Sequence, residues 1–242
     1  MNVLIPMAGE GKRFASYDLP KPLIPINGKP MIQCAVESLG IDARYIFVVK
    51  KYENLEINNK LKDTLSKVVP DPVILEIDHT TQGPACTCLL AEKYINNDDQ
   101  LMTANCDQIM EWNPESFITA INDNCDGLVV TYNSQTSKNS YVKLDDENLY
   151  ATKFAEKEVI SEYSLNGIHY WRKGKFFVDS ARRMIEKNVR VNNEFYIAPT
   201  YNELIAENKR IKIFHLENKQ HWAVGVPEDL DKYLLKFNHE KI

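Results

Sequence analysis

The pattern of apolar and polar positions divides the chain into two halves. In the first half, short apolar runs alternate with amphipathic stretches and polar turns, which predicts buried strands separated by helices. The predicted strands span 2–8, 44–50, 72–78, 100–105 and 127–132, and the predicted helices span 29–39, 54–67, 84–95 and 114–123. This alternation indicates an α/β fold with a mostly parallel sheet and helices on both faces.

The second half, from about residue 134 onward, mixes strands and helices less regularly. Its pattern predicts strands at 141–144, 149–155, 164–171 and 211–216 and helices at 174–188, 194–207 and 228–237. The polar run at 145–148 predicts the turn of a hairpin between the first two of these strands. Because no repeat, low-complexity tract or long linker interrupts the chain, the sequence predicts a single domain over residues 1–242.

Composition narrows the class of protein. The 242 residues, 44% of them hydrophobic and 26% charged, are typical of a globular domain. The net charge of -5 argues against a nucleic-acid-binding protein, which would carry a basic face. The absence of an apolar run of about 18 residues and of a secretory leader predicts a cytoplasmic protein without a membrane partner. Five cysteines without Cys-x-x-Cys spacing indicate reduced thiols, not a zinc site.

A basic loop with two glycines follows the first predicted strand. Gly9 and Gly11 let the backbone bend tightly and bring its N–H groups close to an anion. Lys12, Arg13 and Lys21 place three cations on or just after this loop. Arginine offers a planar fork to phosphate oxygens and lysine a compact charge, so a polyphosphate is the ligand that the loop favours. An ordinary surface turn is the alternative.

The spacing of this loop excludes two common nucleotide-binding motifs. A Walker loop needs four residues between its glycines and a Ser or Thr after the lysine, and neither is present. A dinucleotide fingerprint needs a third glycine that opens a helix, but Phe14 occupies that position, and Pro20 and Pro22 prevent a regular helix.

The run Gly-x-Gly-x-Arg at 9–13, followed by Pro-Lys-Pro-Leu at 20–23, resembles the signature of the sugar-nucleotidyltransferase family, the NDP-sugar pyrophosphorylases. The resemblance implies the nucleotide-diphospho-sugar transferase fold, a Rossmann-like arrangement with a mixed, mostly parallel sheet. It implies a nucleotide-binding half over about 1–133 and an acceptor-binding half over about 134–242. It also implies that Arg13 neutralises the leaving phosphates and that Lys21 binds the α-phosphate. The nucleotide-binding residues that it implies near the loop are Ala8, Gly9, Gly11 and Lys12.

Asp107 follows a predicted strand, at the edge of the sheet where α/β proteins gather ligands. A carboxylate there suits Mg²⁺, although a plain helix cap is the alternative. Members of the family carry a metal-binding aspartate at this strand end, and Asp107 matches it. Their second metal-binding aspartate lies two residues before a glycine, and the segment 222–230 has Ala223 at that position. The resemblance therefore implies a Mg²⁺ cofactor with Asp107 as its motif-matched ligand.

The remaining motifs are degenerate. In the family, the segment matched by Gln82 and Gly83 contacts the nucleotide base, although a simple loop before a helix is an equal alternative. Three segments match the acceptor side of the family: Glu156-Lys157, Asn166-Gly167 and Glu194. Glu158 replaces the proline that follows the first motif in the family, and the second motif lacks the family's spacer residue between Asn and Gly. Glu194 is predicted to open a helix at the place where a family carboxylate contacts sugar hydroxyls. A surface ion pair and a helix-dipole carboxylate are the alternatives for the first and last of these.

The resemblance implies transfer of a nucleotidyl group from an NTP to a phosphorylated small molecule with release of pyrophosphate. The departures at Ala223 and Glu158 favour an enzyme similar to the small cytidylyltransferases of capsule clusters, with CTP and a non-sugar acceptor such as phosphoglutamine or phosphocholine. The alternatives are a sugar-1-phosphate uridylyl- or thymidylyltransferase and a silent nucleotide-binding regulatory domain. A glycosyltransferase is disfavoured because the Asp-x-Asp motif is missing after the strand. Oligomeric state, including a homo-oligomer, is left open.

Overall fold

The computed structural model of the protein describes residues 1–239. The strands are β1 (Asn2–Met7), β2 (Pro25–Ile26), β3 (Lys29–Pro30), β4 (Arg44–Lys50), β5 (Val73–Ile77), β6 (Leu101–Thr103), β7 (Gln108–Met110), β8 (Gly127–Asn133), β9 (Ser140–Leu144), β10 (Ala151–Glu156), β11 (Tyr163–Trp171), β12 (Ile211–His215) and β13 (His221–Ala223). The helices are α1 (Met31–Leu39), α2 (Leu55–Val68), α3 (Pro84–Leu89), α4 (Glu92–Ile95), α5 (Pro114–Asn122), α6 (Gly174–Glu186), α7 (Thr200–Ala206) and α8 (Pro227–His239).

In this described part of the chain, nine strands form one mixed sheet. The main order is β10-β9-β11-β6-β1-β4-β5, with β8 beside β11 and β12 beside β8. Strands β6, β1, β4 and β5 are parallel neighbours, as are β8 and β12, whereas β11 runs antiparallel to β6, β8 and β9. The predicted strand–helix alternation of the first half therefore corresponds to the parallel part of the sheet, and the antiparallel strands come from the second half.

Helices cover both faces of this sheet. Alternate side chains of β1 enter different hydrophobic clusters, with Val3 in one and Leu4 in the other, because successive side chains of a strand point to opposite faces. Leu61 of α2 lies in the first cluster, and Phe177 of α6 and Tyr201 of α7 lie in the second. The predicted fold class is confirmed. A single domain over 1–242 remains a prediction, and its last three positions lie outside the described residues.

Three predicted helices differ from the structure. The helix predicted from residue 29 begins at Met31, because Asn27 and Gly28 both have positive φ and form the turn of the β2–β3 hairpin. The helix predicted over 84–95 is divided into α3 and α4 by a break at 90–91. The helix predicted over 194–207 begins only at Thr200, so the reading of Glu194 as a helix-opening residue is wrong.

Backbone pairing explains the late start of α7. Asn192 and Asn193 both adopt left-handed conformations, and their turn joins Val191 to Glu194 by two backbone hydrogen bonds of 2.9 and 3.1 Å. The backbone of Phe195 then forms hydrogen bonds with Gln82 and Ala85, so no helical turn begins at residue 194.

A third, smaller hydrophobic cluster lies near the carboxyl end of β1. Its buried members include Phe14, Ile109, Val224 and Leu230. Through them, α8, the β7–β13 pair and the loop after β1 pack against one another. The two short strands β7 and β13 were missed by the sequence analysis because each is only three residues long. No helix among residues 1–239 is long and apolar enough to cross a membrane.

Candidate active site

The glycine loop, residues 9–14, leaves the carboxyl end of β1 and turns back through a short 3-10 helix. Gly11 has a φ of 65°, in the left-handed region that favours glycine, and its carbonyl accepts a hydrogen bond from the Phe14 amide at 2.9 Å. Phe14 is buried beside Val224. The loop is thereby held against the core while Arg13 stays exposed.

Lys21 and Asp107 form a largely buried ion pair beneath this loop. The Lys21 ammonium donates a hydrogen bond to the Asp107 carboxylate, and the two side chains are only 16% and 20% exposed. Burial, the largest single effect, lowers the pKa of Lys21, but the charge and the hydrogen bond of Asp107 together with the neighbouring Cys106 outweigh it, so the pKa of Lys21 lies above its usual value. Lys21 therefore stays cationic at neutral pH and holds the carboxylate in place.

The segment 223–225 packs directly against Asp107. The Val224 amide donates a hydrogen bond to the Asp107 carbonyl at 2.9 Å, and Ala223 pairs with Gln108 across the two short strands. A Cβ atom at Gly225 would lie 2.2 Å from Asp107 Oδ2, so this position has room only for a glycine. Ala223, the residue that the motif match assigns to the family's second aspartate, thus stands next to Asp107.

Substituting Gly225 by alanine is expected to push the Asp107 carboxylate away from Lys21. Losing this charge-assisted contact should lower the free energy of unfolding by about 1–3 kcal/mol, which urea denaturation measures. Gly9→Ala is the matched control, because a Cβ at Gly9 would meet no atom within 4 Å. A Gly225→Ala protein as stable as wild type would show that the carboxylate can move without losing its partner.

Two cavities meet at Asp107. The first, of about 660 Å³, is lined by the glycine loop, Lys21 and Asp107, and the second, of about 570 Å³, extends toward β11 and β10. The residues common to both linings are Arg13, Asn105, Asp107 and Gly225. The predicted catalytic residue Arg13 and the predicted metal ligand Asp107 therefore stand at the boundary between the two cavities.

A bulge in β11 shapes the floor of the second cavity. The strand changes register between Leu165 and His169, and Gly167 has a φ of 103°. A Cβ there would lie 2.0 Å from the Asn105 amide, so a side chain would displace it. Asn166 accepts a hydrogen bond from the Ile168 amide at 3.0 Å and thereby stabilises the bulge. Both predicted acceptor residues line the second cavity, where their contact with a ligand stays a prediction.

Glu156 lines the same cavity without an ion-pair partner among residues 1–236. Its carboxylate accepts a hydrogen bond from Ser140, and burial raises its pKa. Lys157, which follows it, has a φ of 57° and turns its ammonium to the Tyr196 hydroxyl. Lys157 is therefore near the predicted acceptor cavity, but its side chain is held by a tyrosine that the sequence analysis did not single out.

The loop at 81–84 closes a small third cavity of about 170 Å³ beside β1. Its lining includes Ala8, Gly9, Gly83 and Glu194. Gly83 has a φ of 128°, and a Cβ there would lie 2.6 Å from the Phe195 backbone, to which the loop is joined by hydrogen bonds. Glu194, predicted on the acceptor side, thus lines the first and third cavities and not the second.

The side chains of Gln82 and Lys12 each contact another side chain of the protein. The side-chain amide oxygen of Gln82, Oε1, accepts a hydrogen bond from the Arg190 guanidinium at 2.6 Å, and Gln82 does not line any of the three cavities. Lys12 lines the first cavity but forms an exposed ion pair with Glu10 at 2.6 Å. The structure therefore brings Lys12 to the predicted nucleotide cavity and turns the amide of Gln82 elsewhere.

The residues around Asp107 fit a magnesium ion held mainly by substrate. Among residues 1–239 no three acidic, histidine or cysteine side chains are grouped as a metal cluster. Mg²⁺ commonly takes one or two protein carboxylates and completes its shell with phosphates and water. The space that Gly225 leaves for the Asp107 carboxylate, on the wall of a cavity with a basic loop, matches that requirement.

Several residues of the second cavity escaped the sequence analysis. They include Tyr132, Asn139, Ser140 and His221. Burial lowers the pKa of His221 to about 4, so it is neutral near pH 7, and its ring lies 3.9 Å from the ring of Tyr132. His221 directly precedes the tryptophan of the 222–230 motif, which was the one available signal. Tyr132 lies near the end of β8, Asn139 lies just before β9 and Ser140 begins β9, and their proximity depends on the tertiary fold.

Sequence comparison identifies a family for this fold and site. The family model for the MobA-like NTP transferase domain matches residues 3–187. A curated relative, the bifunctional protein GlmU of Methanocaldococcus jannaschii, is 29% identical over 245 residues, which cover 97% of this chain and 54% of the relative. The chain spans about half the length of the curated relatives that it matches over most of its length.

Solved structures show the same fold at low identity. A nucleoside-diphosphate-sugar pyrophosphorylase of Vibrio cholerae RC9 has a TM-score of 0.83 and 21% identity, with 96% of this chain and 99% of that chain covered. A UDP-glucose pyrophosphorylase complexed with UDP-glucose has a TM-score of 0.76 and 18% identity, with 99% of this chain and 98% of that chain covered. The inositol-1-phosphate CTP transferase of T. maritima has a TM-score of 0.73 and 15% identity, with 97% of this chain and 93% of that chain covered. The resemblance to sugar nucleotidyltransferases is confirmed, and the chain belongs to the family of MobA-like NTP transferase domains.

Proposed function

We propose that this nucleotidyltransferase joins an NTP, with Mg²⁺, to a phosphorylated small-molecule acceptor and releases pyrophosphate. The observation that carries the proposal is the meeting of two cavities at Arg13 and Asp107. A basic glycine loop lines the first cavity and suits a triphosphate, whereas the second is large enough for a small phosphorylated molecule. The reacting phosphates of the two substrates would then lie at the shared wall.

The chemistry requires positioning and charge neutralisation. The acceptor phosphate attacks the α-phosphorus, a new P–O bond forms, and the bond to the β-phosphate breaks as its electron pair leaves with pyrophosphate. A phosphomonoester has a second pKa of about 6, so its dianion needs no protein base near pH 7. Lys21 and Arg13 would bind the phosphates through charge-assisted hydrogen bonds. Mg²⁺ held by Asp107 would supply further neutralisation of charge.

We propose CTP as the nucleotide and an acceptor that carries a cation as well as a phosphate. Phosphocholine and phosphoglutamine both have such a group, and we propose a role in capsule or surface polysaccharide synthesis. Support comes from Glu156, a partly buried carboxylate without an ion-pair partner among residues 1–236. A solved structure of the same fold is named as an inositol-1-phosphate CTP transferase, although another is a UDP-glucose pyrophosphorylase.

The test measures pyrophosphate release from each of the four NTPs with a panel of acceptors. Phosphocholine, phosphoglutamine, glucose 1-phosphate and inositol 1-phosphate make up the panel. Preferred turnover with CTP and a cationic acceptor supports the proposal. Efficient turnover of glucose 1-phosphate with UTP or dTTP would instead assign the protein to the sugar-1-phosphate enzymes.

Replacing Glu156 by glutamine is expected to separate cationic from neutral acceptors. The amide keeps the shape and can still accept a hydrogen bond, but it loses the charge that attracts an ammonium group. We expect kcat/KM for the cationic acceptor to fall about tenfold or more, since hydrogen bonds to charged groups contribute roughly 1.5–3 kcal/mol. Turnover of neutral polyol phosphates should change little. An equal loss for both classes would contradict a charge-recognising role.

A silent regulatory domain is the second candidate. Ala223 favours it, because this residue stands beside Asp107 where the family carries a second aspartate. The two candidates differ in a direct way, since a regulatory domain would bind an NTP in calorimetry but release no pyrophosphate with any acceptor. The retained Arg13, Lys21 and Asp107 lead us to favour the enzyme.

A further inference from the structure

Tyr196 connects side chains from the two sides of the candidate site. Its hydroxyl accepts a hydrogen bond from the Lys157 ammonium and donates one to Glu194 Oε2, both at 2.5 Å. The Lys157 ammonium also lies 4.5 Å from the centroid of the Tyr196 ring. Lys157 and Glu194 are thus a cation and an anion bridged by one phenol, with no direct ion pair within 4.0 Å between them.

The bridge joins a lysine that is the sequence neighbour of a second-cavity residue to a glutamate that lines the first cavity. Lys157 follows β10, whose last residue, Glu156, lines the second cavity. Glu194 lines the first and third cavities. The Tyr196 hydroxyl therefore links Lys157, next to the proposed acceptor side, to Glu194 on the proposed nucleotide side.

The backbone holds Tyr196 firmly in this place. Its neighbour Phe195 is buried, donates a hydrogen bond to the Gln82 carbonyl at 2.8 Å and accepts one from the Ala85 amide at 3.0 Å. The 191–194 turn fixes the chain just before it. A rigid aromatic side chain on a pinned backbone can orient a flexible partner at small cost in conformational entropy.

Lys157 is the partner that needs such orientation. Its backbone is in the left-handed region, with its amide bonded to the Asn139 carbonyl at 2.9 Å, so the start of the side chain is fixed while its four-carbon stem is not. An ammonium has three donors, and Tyr196 takes one of them. The remaining two are free to meet phosphate oxygens while the bridge persists.

We propose that Tyr196 is a positioning residue that holds the Lys157 ammonium, through its hydroxyl anchored on Glu194, in the place where the acceptor's phosphate binds. This proposal rests on the proposed function, because that function supplies the acceptor phosphate. The raised pKa of Tyr196, due first to burial and then to the Glu194 carboxylate, keeps the phenol protonated and able to donate.

The test uses Tyr196→Phe, which keeps the ring and removes only the bridging oxygen. We expect the KM for the phosphorylated acceptor to rise about tenfold, while kcat and the KM for CTP change by less than about threefold and the thermal midpoint stays the same. Tyr150→Phe is the matched control, because Lys212 lies 5.8 Å from the Tyr150 ring but the hydroxyl has no hydrogen bond among the described side chains. An unchanged acceptor KM, or equal losses in kcat and both KM values, would overturn the proposal.

A double-variant comparison tests the anchoring by Glu194. Each single variant, Tyr196→Phe or Glu194→Gln, should raise the acceptor KM by some factor. If the hydroxyl acts through that carboxylate, the factor for the double variant should be smaller than the product of the two single factors. Fully multiplicative effects would show that the two residues act independently and would contradict the anchored bridge.

A second readout does not depend on turnover. Acetylation of lysines by a water-soluble reagent, followed by peptide mass spectrometry, measures how freely each ammonium loses its partners. We expect Lys157 to be modified about fivefold faster in Tyr196→Phe than in wild type, with Lys212 unchanged as an internal reference. An unchanged rate at Lys157 would overturn the proposal even for a protein that releases no pyrophosphate. A faster rate without a higher acceptor KM would overturn the link to the acceptor.

Discussion

Replacing Asp107 by asparagine is expected to lower turnover by about a hundredfold to a thousandfold or more. The substitution removes the one motif-matched carboxylate at the wall between the two cavities, and loss of a single preorganised electrostatic group commonly has an effect of this size. We also expect the dependence of the residual rate on Mg²⁺ concentration to weaken. Pyrophosphate release measured across a Mg²⁺ titration tests both expectations.

The same variant should lose some stability. The sequence analysis matched this carboxylate to a metal ligand, and the structure shows that it also pairs with the largely buried ammonium of Lys21. Asparagine would leave that ammonium without a counter-charge, and we expect a cost of about 1–3 kcal/mol, since both side chains retain some contact with water. Asp123→Asn is the control, because Asp123 forms an exposed pair with Lys212. A fully active Asp107→Asn enzyme would refute the proposed metal site.

Local sequence signals predicted the parallel half of the fold well because they are strong there. The runs that became β1 and β4 are continuous and apolar, and Phe47 and Leu4 are fully buried in the central sheet. Glycines near the site were also informative, since Gly11 and Gly83 do adopt backbone conformations that other residues rarely reach. In these places the local preference and the tertiary structure agree.

The misplaced helix at 194–207 depended on contacts that are distant in sequence. The turn at Asn192-Asn193 looked like the start of a helix, yet its direction is set by backbone pairing of Phe195 with the loop at 82–85. That pairing places Glu194 on the wall of the first cavity and Tyr196 beside Lys157. No spacing within one segment could reveal it, because the two segments are separated by more than a hundred positions and meet only in the folded chain.

The ion pair beneath the glycine loop could be predicted only in part. Both Lys21 and Asp107 were identified as site residues from separate motifs, but nothing in either motif predicts that the two side chains touch. Their contact depends on packing on both sides of the pair, because Leu23 lies in the same hydrophobic cluster as Cys106, and Ile24 lies in the same cluster as Ile109. The pairing makes the two positions energetically coupled, so their substitutions should not be additive.

Substituting Lys21 by alanine is expected to lower kcat/KM by more than tenfold and to leave the Asp107 carboxylate without its cation. Loss of the proposed bond to the α-phosphate would account for the fall in rate, because charge-assisted hydrogen bonds contribute roughly 1.5–3 kcal/mol. Lys21→Arg should restore only part of the activity, since a bulky planar fork replaces a compact ammonium between two prolines in a largely buried site. Full activity in the arginine variant would show that position 21 supplies only diffuse charge.

The stability of Lys21→Ala gives an independent check on the role of Asp107. Without the ammonium, the carboxylate should attract Mg²⁺ more strongly, so added Mg²⁺ should raise the thermal midpoint of Lys21→Ala more than that of wild type. Lys12→Ala is the control on the same loop, because Lys12 pairs with Glu10 at the surface and is 84% exposed. Equal responses to Mg²⁺ in Lys21→Ala and wild type would mean that Asp107 does not reach the metal. Since the magnesium site and the ion pair compete for one carboxylate, a positive result would support both.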